Sequence, residues 1–447
     1  PYVVRAFDDR LAVAPGDRVV RPPGVDAIYL EYRTDLIFTA TEPLQTRRIV
    51  DYDLLSVTLE WTAGARGSMR APLVRGSPYI TVFYDGLTPE LSSDPVFANV
   101  ASLIGGGSRY EVTLDNGNTW IIYASAPITL IRSNNDVRAD APFTGFLRIA
   151  RKNATASVEL DAHRGAVPVG GDVDARIGAG VAEVTFTWQR VGTGPLLMMA
   201  MPHHQDTLAG ASVTALTERT IRGNLVGITG DSWTLQWTLP AMGFQAERPI
   251  DPSFIPDITS ALATEKGARP TAGDTYFFGT QIGRMSRLIL ISEELDDGAT
   301  GGEITDNLRN DLAPWIAGQN ADPLVYDTEW GGVVPRLAAF DPSAQFGSGY
   351  YNDHHFHYGY HIYAAAVVAK RDPAWIAANG EWYRRLHRDF MNPSDSDPYC
   401  PRFRSFDWWV GHSWASGLYE FVDGRNQESV SESINAYYAV KLFGEAT

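Results

Sequence analysis

The densest run of titratable and aromatic side chains in the sequence is Tyr350-Tyr351-Asn352-Asp353-His354-His355-Phe356-His357-Tyr358-Gly359-Tyr360-His361. Six of the nine histidines (His354, His355, His357, His361, His387 and His412) fall between Asp353 and His412, and Asn426-Gln427-Glu428-Ser429-Val430-Ser431-Glu432 follows shortly after. An Asp in one segment and a pair of Glu in another suit acid–base chemistry. Apolar spacing predicts a helix over Phe356 to Lys370. Asp353 then sits at its N-terminus, where the orphan amides and the dipole favour an ionised carboxylate. An acid working near neutral pH therefore needs Asp353 buried or next to another carboxylate; an ordinary N-cap Asp is the alternative. Glu428 and Glu432, four residues apart, share one face of a predicted last helix over Gln427 to Phe443, where like charges are mildly destabilising. Either one polarises a water that the other orients, or both face solvent near a helix start.

His357 and His361 have the i, i+4 spacing of zinc-binding helices. No Glu follows His357, however, and Phe356, Tyr358 and Tyr360 fit a sugar-stacking wall or ordinary packing as well as a ligand sphere. Acid–base chemistry by paired carboxyl groups and water needs neither a metal nor a cofactor. Gly411-His412-Ser413-Trp414-Ala415 has the outline of a nucleophile elbow, but His412 is the last histidine and no base follows Ser413. There is no Walker motif, dinucleotide fingerprint or Cys-x-x-Cys pair.

These residues must be positioned by a chain of 447 residues, long enough for two or three domains. With 44% hydrophobic and 20% charged residues the composition is that of a folded protein. Lys+Arg 37 against Asp+Glu 53, a net charge of -16, disfavours nucleic acid and anionic membrane surfaces as partners. Cys400 is the single cysteine, so no intrachain disulfide forms. No apolar run approaches the roughly 20 residues of a membrane helix. The opening Pro1-Tyr2-Val3-Val4 fits a chain from which a secretion signal has been removed, or a trimmed one. Short alternating segments predict strands at Ala27 to Tyr32, Leu36 to Ala40, Ser56 to Trp61, Ile80 to Tyr84, Val181 to Trp188 and Ser232 to Trp237. A hairpin is predicted where Asp115-Asn116-Gly117-Asn118 joins Tyr110 to Leu114 with Thr119 to Ala124. This is the pattern of a large antiparallel sandwich over 1–241. A linker with Pro249, Pro252 and Pro256 occupies 242–275, and 276–447 is helical, with further helices at Tyr276 to Leu295, Ile304 to Ile316 and Pro373 to Met391. Asp372 and Pro373 supply the cap and first position of the last of these.

Three long motifs in order, Tyr351 to His361, Gly411 to Gly417 and Asn426 to Tyr438, together resemble glycoside hydrolase family 81, the endo-β-1,3-glucanases. Weaker echoes at Pro72-Leu73-Val74-Arg75-Gly76-Ser77-Pro78-Tyr79 and Met201-Pro202-His203-His204 extend the resemblance over most of the chain. It implies an N-terminal antiparallel β-sandwich, a small α/β connecting region and a C-terminal (α/α)6-type barrel whose cleft binds β-1,3-glucan. About five helices are visible, so the barrel is expected to be incomplete. The resemblance also implies inverting hydrolysis with Asp353 as acid and one of Glu428 or Glu432 as base, their carboxyls roughly 6.5 to 9.5 Å apart to admit water. Tyr351, His357, Tyr358, His361, His412, Trp414, Asn426 and Tyr437 are the expected substrate contacts. A secreted monomer is expected. A β-glucan-binding protein without turnover is the second reading, and a metal-dependent hydrolase or lyase the third.

Overall fold

The computed structural model describes every residue except 18, 21–22, 25–28, 31–32, 105–106, 134, 154–155 and 422–423. The chain divides into two compact units, Pro1–Leu239 and Pro240–Thr447.

The first unit is an antiparallel β-sandwich. One sheet has six strands in the order Tyr2–Ala6, Leu11–Pro15, Leu36–Ala40, Pro89–Ser92, Asp136–Ala139 and Leu130–Ser133; the other has eight, running from Phe97–Ile104 at one edge to Arg48–Tyr52 at the other. Alternate residues of both sheets meet in one core: Leu11, Phe38, Leu91 and Val137 from the first face Trp61, Val82, Val112, Trp120 and Leu147 from the second. The predicted hairpin forms between Arg109–Leu114 and Thr119–Ala124, with Gly117 at φ 87 supplying the left-handed step of the turn. Asp35, 1% exposed, accepts hydrogen bonds from Trp120 Nε1 (2.9 Å) and from the side chains of Asn116 (2.9 Å) and Asn118 (2.7 Å), which ties that turn to the opposite sheet. This unit also holds two three-stranded sheets, a two-stranded pair, the helix α1 (Ala156–His163) and a single helical turn at Pro202–Gln205. The strand expected at Ala27 to Tyr32 falls largely outside the described residues.

The second unit is helical. Its longer helices among the described residues are α2 (Ile255–Glu265), α3 (Thr275–Glu294), α4 (Gly298–Ile316), α5 (His354–Arg371), α6 (Pro373–Met391) and α7 (Val430–Ala446). α2 lies within 242–275, the stretch that sequence reading gives to a linker or small α/β region; Pro252 precedes it, and Pro256 stands in its first turn, where a missing N–H is harmless. Asp274, Asp297 and Asp372 cap α3, α4 and α6, each accepting a main-chain N–H within the first turn. α5 is buried almost from end to end, because α3, α6 and α7 all pack on it. Close approach is made possible by glycine. A Cβ on Gly359 of α5 would lie 2.8 Å from both Cα and Cβ of Ala436 on α7. Gly359→Ala should therefore lower stability by about 1–3 kcal/mol, read as a drop in the urea midpoint at unchanged m-value.

Candidate active site

The site is assembled by main-chain hydrogen bonds between the three motifs. Asp353 N–H donates to Ala415 O (2.9 Å), Leu418 N–H to Tyr350 O (2.8 Å) and Gly417 N–H to Asn352 Oδ1 (2.9 Å), so 350–353 and 415–418 run antiparallel. Ala415 N–H donates in turn to Asn426 O (2.9 Å), attaching the third motif. Gly417 is required where the segments meet, since a Cβ there would lie 2.0 Å from Tyr350 O. Tyr437 on α7 closes the far side: its hydroxyl donates to Ser413 Oγ (2.8 Å) and accepts from Ser413 N–H (2.8 Å).

Asp353 occupies the N-cap position of α5, yet its side chain caps nothing. Its backbone is left-handed (φ 60), and Oδ1 is buried without a hydrogen-bond partner. The N-cap reading of this residue is thus set aside. Burial first, then the charges of Glu428 and Glu432, push its carboxyl up to about 7, against the pull of the helix dipole. Tyr351 (φ 63) and Glu428 (φ 58) share the left-handed conformation, which costs a non-glycine residue about 1–3 kcal/mol and clusters at functional sites.

The two glutamates do not share a helix face. α7 starts at Val430, with Ser429 Oγ as its cap accepting from Glu432 N–H (3.4 Å), so Glu428 precedes the helix on an exposed turn. Hydroxyl-to-backbone capping beat the apolar period that had suggested a start at Gln427. Glu432 lies in the first turn, and its Oε1 accepts from the hydroxyls of Tyr276 on α3 (2.8 Å) and Tyr360 on α5 (3.0 Å).

Four expected substrate contacts are core residues instead. Tyr358 is fully buried and donates to Val333 O (2.6 Å); Tyr351, 2% exposed, donates to Asp327 Oδ2 (2.9 Å) beneath the Arg404 guanidinium. His361 is packed against Phe278, Trp315 and Trp382 with Nε2–H on Thr275 O (3.1 Å), and His357 is hydrogen-bonded to Thr275 Oγ1 (2.9 Å). Burial holds both imidazoles neutral, His361 down to about 4 and His357 well below its usual range. A helix this deeply enclosed turns every face toward protein, which alternating aromatics and histidines do not announce. Trp414, His412, Asn426 and Tyr437 remain partly exposed, with the His412 and Trp414 rings edge to face at 4.8 Å. Around Asp353, buried Asn426 Oδ1, Ser416 Oγ and both nitrogens of His355 are also without hydrogen-bond partners among the described residues. Burial, with the neighbouring His354 and His412, lowers His355 to about 3.

Sequence reading does not single out Tyr276 or Asp389, and it offers Tyr360 as a stacking face, not as a hydrogen-bond donor to Glu432. Tyr360 was reachable, being seven residues beyond Asp353 and so on the same helix face. Asp389 is fully buried, with Oδ2 2.6 Å from His354 Nδ1. Among the described residues no three His, Cys, Asp or Glu side chains converge as a metal site.

Residues 5–248 match the glycosyl hydrolase family 81 N-terminal domain and residues 254–447 the glycosyl hydrolase family 81 C-terminal domain. The chain belongs to glycosyl hydrolase family 81. Family 81 relatives include a glucan endo-1,3-beta-D-glucosidase of Glycine max, 32% identical over all of this chain and 68% of that protein. A protein of the same name from Arthroderma benhamiae is 31% identical over 86% of this chain, and the primary septum glucan endo-1,3-beta-D-glucosidase of Schizosaccharomyces pombe is 30% identical over 92%. The chain spans 46% and 42% of those two fungal proteins. A solved family 81 structure from Clostridium thermocellum, a point mutant, matches with a TM-score of 0.86 over the whole chain and 64% of its own, at 24% identity, and so shares the fold.

Proposed function

We propose that this family 81 chain cleaves internal bonds of β-1,3-glucan with inversion at the anomeric carbon. Asp353 gives its proton to the leaving glycosidic oxygen, and one of Glu428 or Glu432 takes a proton from the attacking water while the other holds the local charge. The observation that carries the reading is the state of Asp353: not capping its helix, and pushed up to about 7 by burial and two carboxylates, it keeps a proton to donate near neutral pH. The relatives' shared name supports the substrate. Partly exposed Trp414, His412 and Tyr437 offer faces and edges for sugar rings. A septum glucanase among the relatives also supports an extracellular wall glucan as the target, reached by secretion.

The test is the product pattern from laminarin and from an insoluble linear β-1,3-glucan. A series of oligosaccharides, born as α-anomers by NMR and reduced at least 10³-fold in Asp353→Asn, is expected. Retained binding to the insoluble glucan with no cleavage would replace this reading with a glucan-binding protein.

A further inference from the structure

We infer that the outer face of the eight-stranded sheet in the first unit carries a second binding site for the β-1,3-glucan chain, a groove that shares no residue with the site around Asp353. The inference rests on the substrate proposed above and adds a place where the same polymer is held.

Side chains that leave the core on this sheet fall into register across five strands. Arg48 stands opposite Glu60, Glu60 opposite Arg70, Arg70 opposite Phe83 and Phe83 opposite Phe146. Their sequence neighbours Leu59, Met69, Val82 and Leu147 point into the sandwich core, so this row faces outward. Both guanidiniums close on one carboxylate, Arg48 Nη2 on Glu60 Oε2 (2.8 Å) and Arg70 Nη2 on Glu60 Oε1 (2.7 Å). The Arg70 hydrogen bond, working against burial, holds Glu60 below the usual carboxylate range, so the row stays charged. Phe83 is set beside it, edge to face with Phe146 at 5.9 Å.

A groove of about 540 Å³ opens over this row, a volume within the usual range of ligand sites. Thr58, Arg70, Phe83 and Asp85 line its floor, and Gln189 and Val191, from a hairpin of Ala166–Gly178 with Val181–Gly192, line its other wall. That wall is fixed in place, because Asp53 Oδ2 accepts from both Gly171 N–H (2.8 Å) and Ser56 Oγ (2.7 Å). A second hollow of about 840 Å³, bordered by Gln45, Arg48 and Thr62, adjoins the first: Arg48 and Arg70 share Glu60, and Thr62 is the cross-strand partner of Ser68 in the groove. Together they form a track, which suits an extended polymer better than a compact ligand. Its chemistry selects a neutral sugar. Asp51, Glu60 and Asp85 stand against two guanidiniums, so no surplus positive charge awaits a phosphate or sulfate. The exposed Arg70 fork carries more N–H groups than Glu60 takes, Asp85 and Gln189 supply acceptors, and Phe83, Pro72 and Val191 offer apolar faces for the C–H side of a sugar ring. A chain held there raises the local concentration of cleavable bonds.

The experiment is carbene footprinting of the whole Asp353→Asn protein with and without an excess of β-1,3-linked glucose hexasaccharide. Labelling of Phe83 and of Trp414 should each fall at least about threefold, since a bound sugar covers most of the surface it contacts. Protection at Trp414 without Phe83 overturns the inference; protection at neither sinks the proposed substrate instead. In parallel, Phe83→Ala and Arg70→Ala are made in the active chain, with thermal midpoints alongside. The ratio of the rate on insoluble linear β-1,3-glucan to that on the hexasaccharide should fall about three- to tenfold in each. An unchanged ratio in both folded variants overturns the inference. Should Phe83→Ala not fold, Arg70→Ala, at a side chain more than half in solvent, carries the same test.

Discussion

Asp353→Asn is expected to be an inactive protein that is more stable than its parent at pH 8. An ordinary Asp in an unfolded chain titrates near 3.9, whereas Asp353 in the folded protein is raised to about 7. The folded state therefore binds this proton more tightly. The stabilisation this gives is fully present below about pH 4 and is lost as pH rises through 7. Above that, the native fold must hold a charged carboxylate in a half-buried position close to two others. A shift of this size corresponds to at most about 4 kcal/mol, reduced by the solvent that reaches the side chain. Asn carries no charge and tolerates the left-handed backbone well. Calorimetry at pH 4 and pH 8 should give nearly equal midpoints at the lower pH and a variant melting several degrees higher at the upper one. Equal midpoints at pH 8 would mean that the folded site does not strain this carboxylate.

The opposite sign is expected one layer behind the site. Asp389, fully buried, takes His354 on Oδ2 and the N–H of Val333 on Oδ1 (2.8 Å), while His354 Nε2 reaches Ser348 O at 2.8 Å. Asp389→Ala strands both donors in the interior, a loss of about 3–5 kcal/mol for a buried pair deprived of one member. It also frees His354, the residue directly after Asp353, so hydrolysis should fall further than instability explains. Urea unfolding followed by kcat at a temperature where both proteins are folded separates the two effects. A stability change under about 1 kcal/mol would show the pair to be incidental.

Most of the fold is written locally, and there the sequence was readable. Leu36–Ala40 and Pro373–Met391 have the limits that alternation and an Asp-Pro start predict, because their signals lie within the element. Asp353, Glu428 and Glu432 stand out by type, and the charges of the two glutamates act on Asp353 in the folded chain. What spacing misjudged was surroundings. Tyr358 and His361 have the chemistry of sugar contacts but stand on a helix enclosed by three others, a fact settled by residues such as Gly359 and Ala436 that are distant in sequence. Glu428 was misplaced because one serine hydroxyl shifts the helix start by three residues. Tyr276 carried no local mark, since its importance arises only where α3 meets α7.

The segment around Ala415 lies between the turn of Asp353 and the loop of Asn426, bonded to both through its own N–H and C=O. Both links are main-chain hydrogen bonds, so the outer segments are joined through peptide groups and not through side chains. Gly417 apart, side chains along the segment can be changed without breaking those links. Substitutions there should tune how fast a bond is cut, while the handedness of the product stays the same.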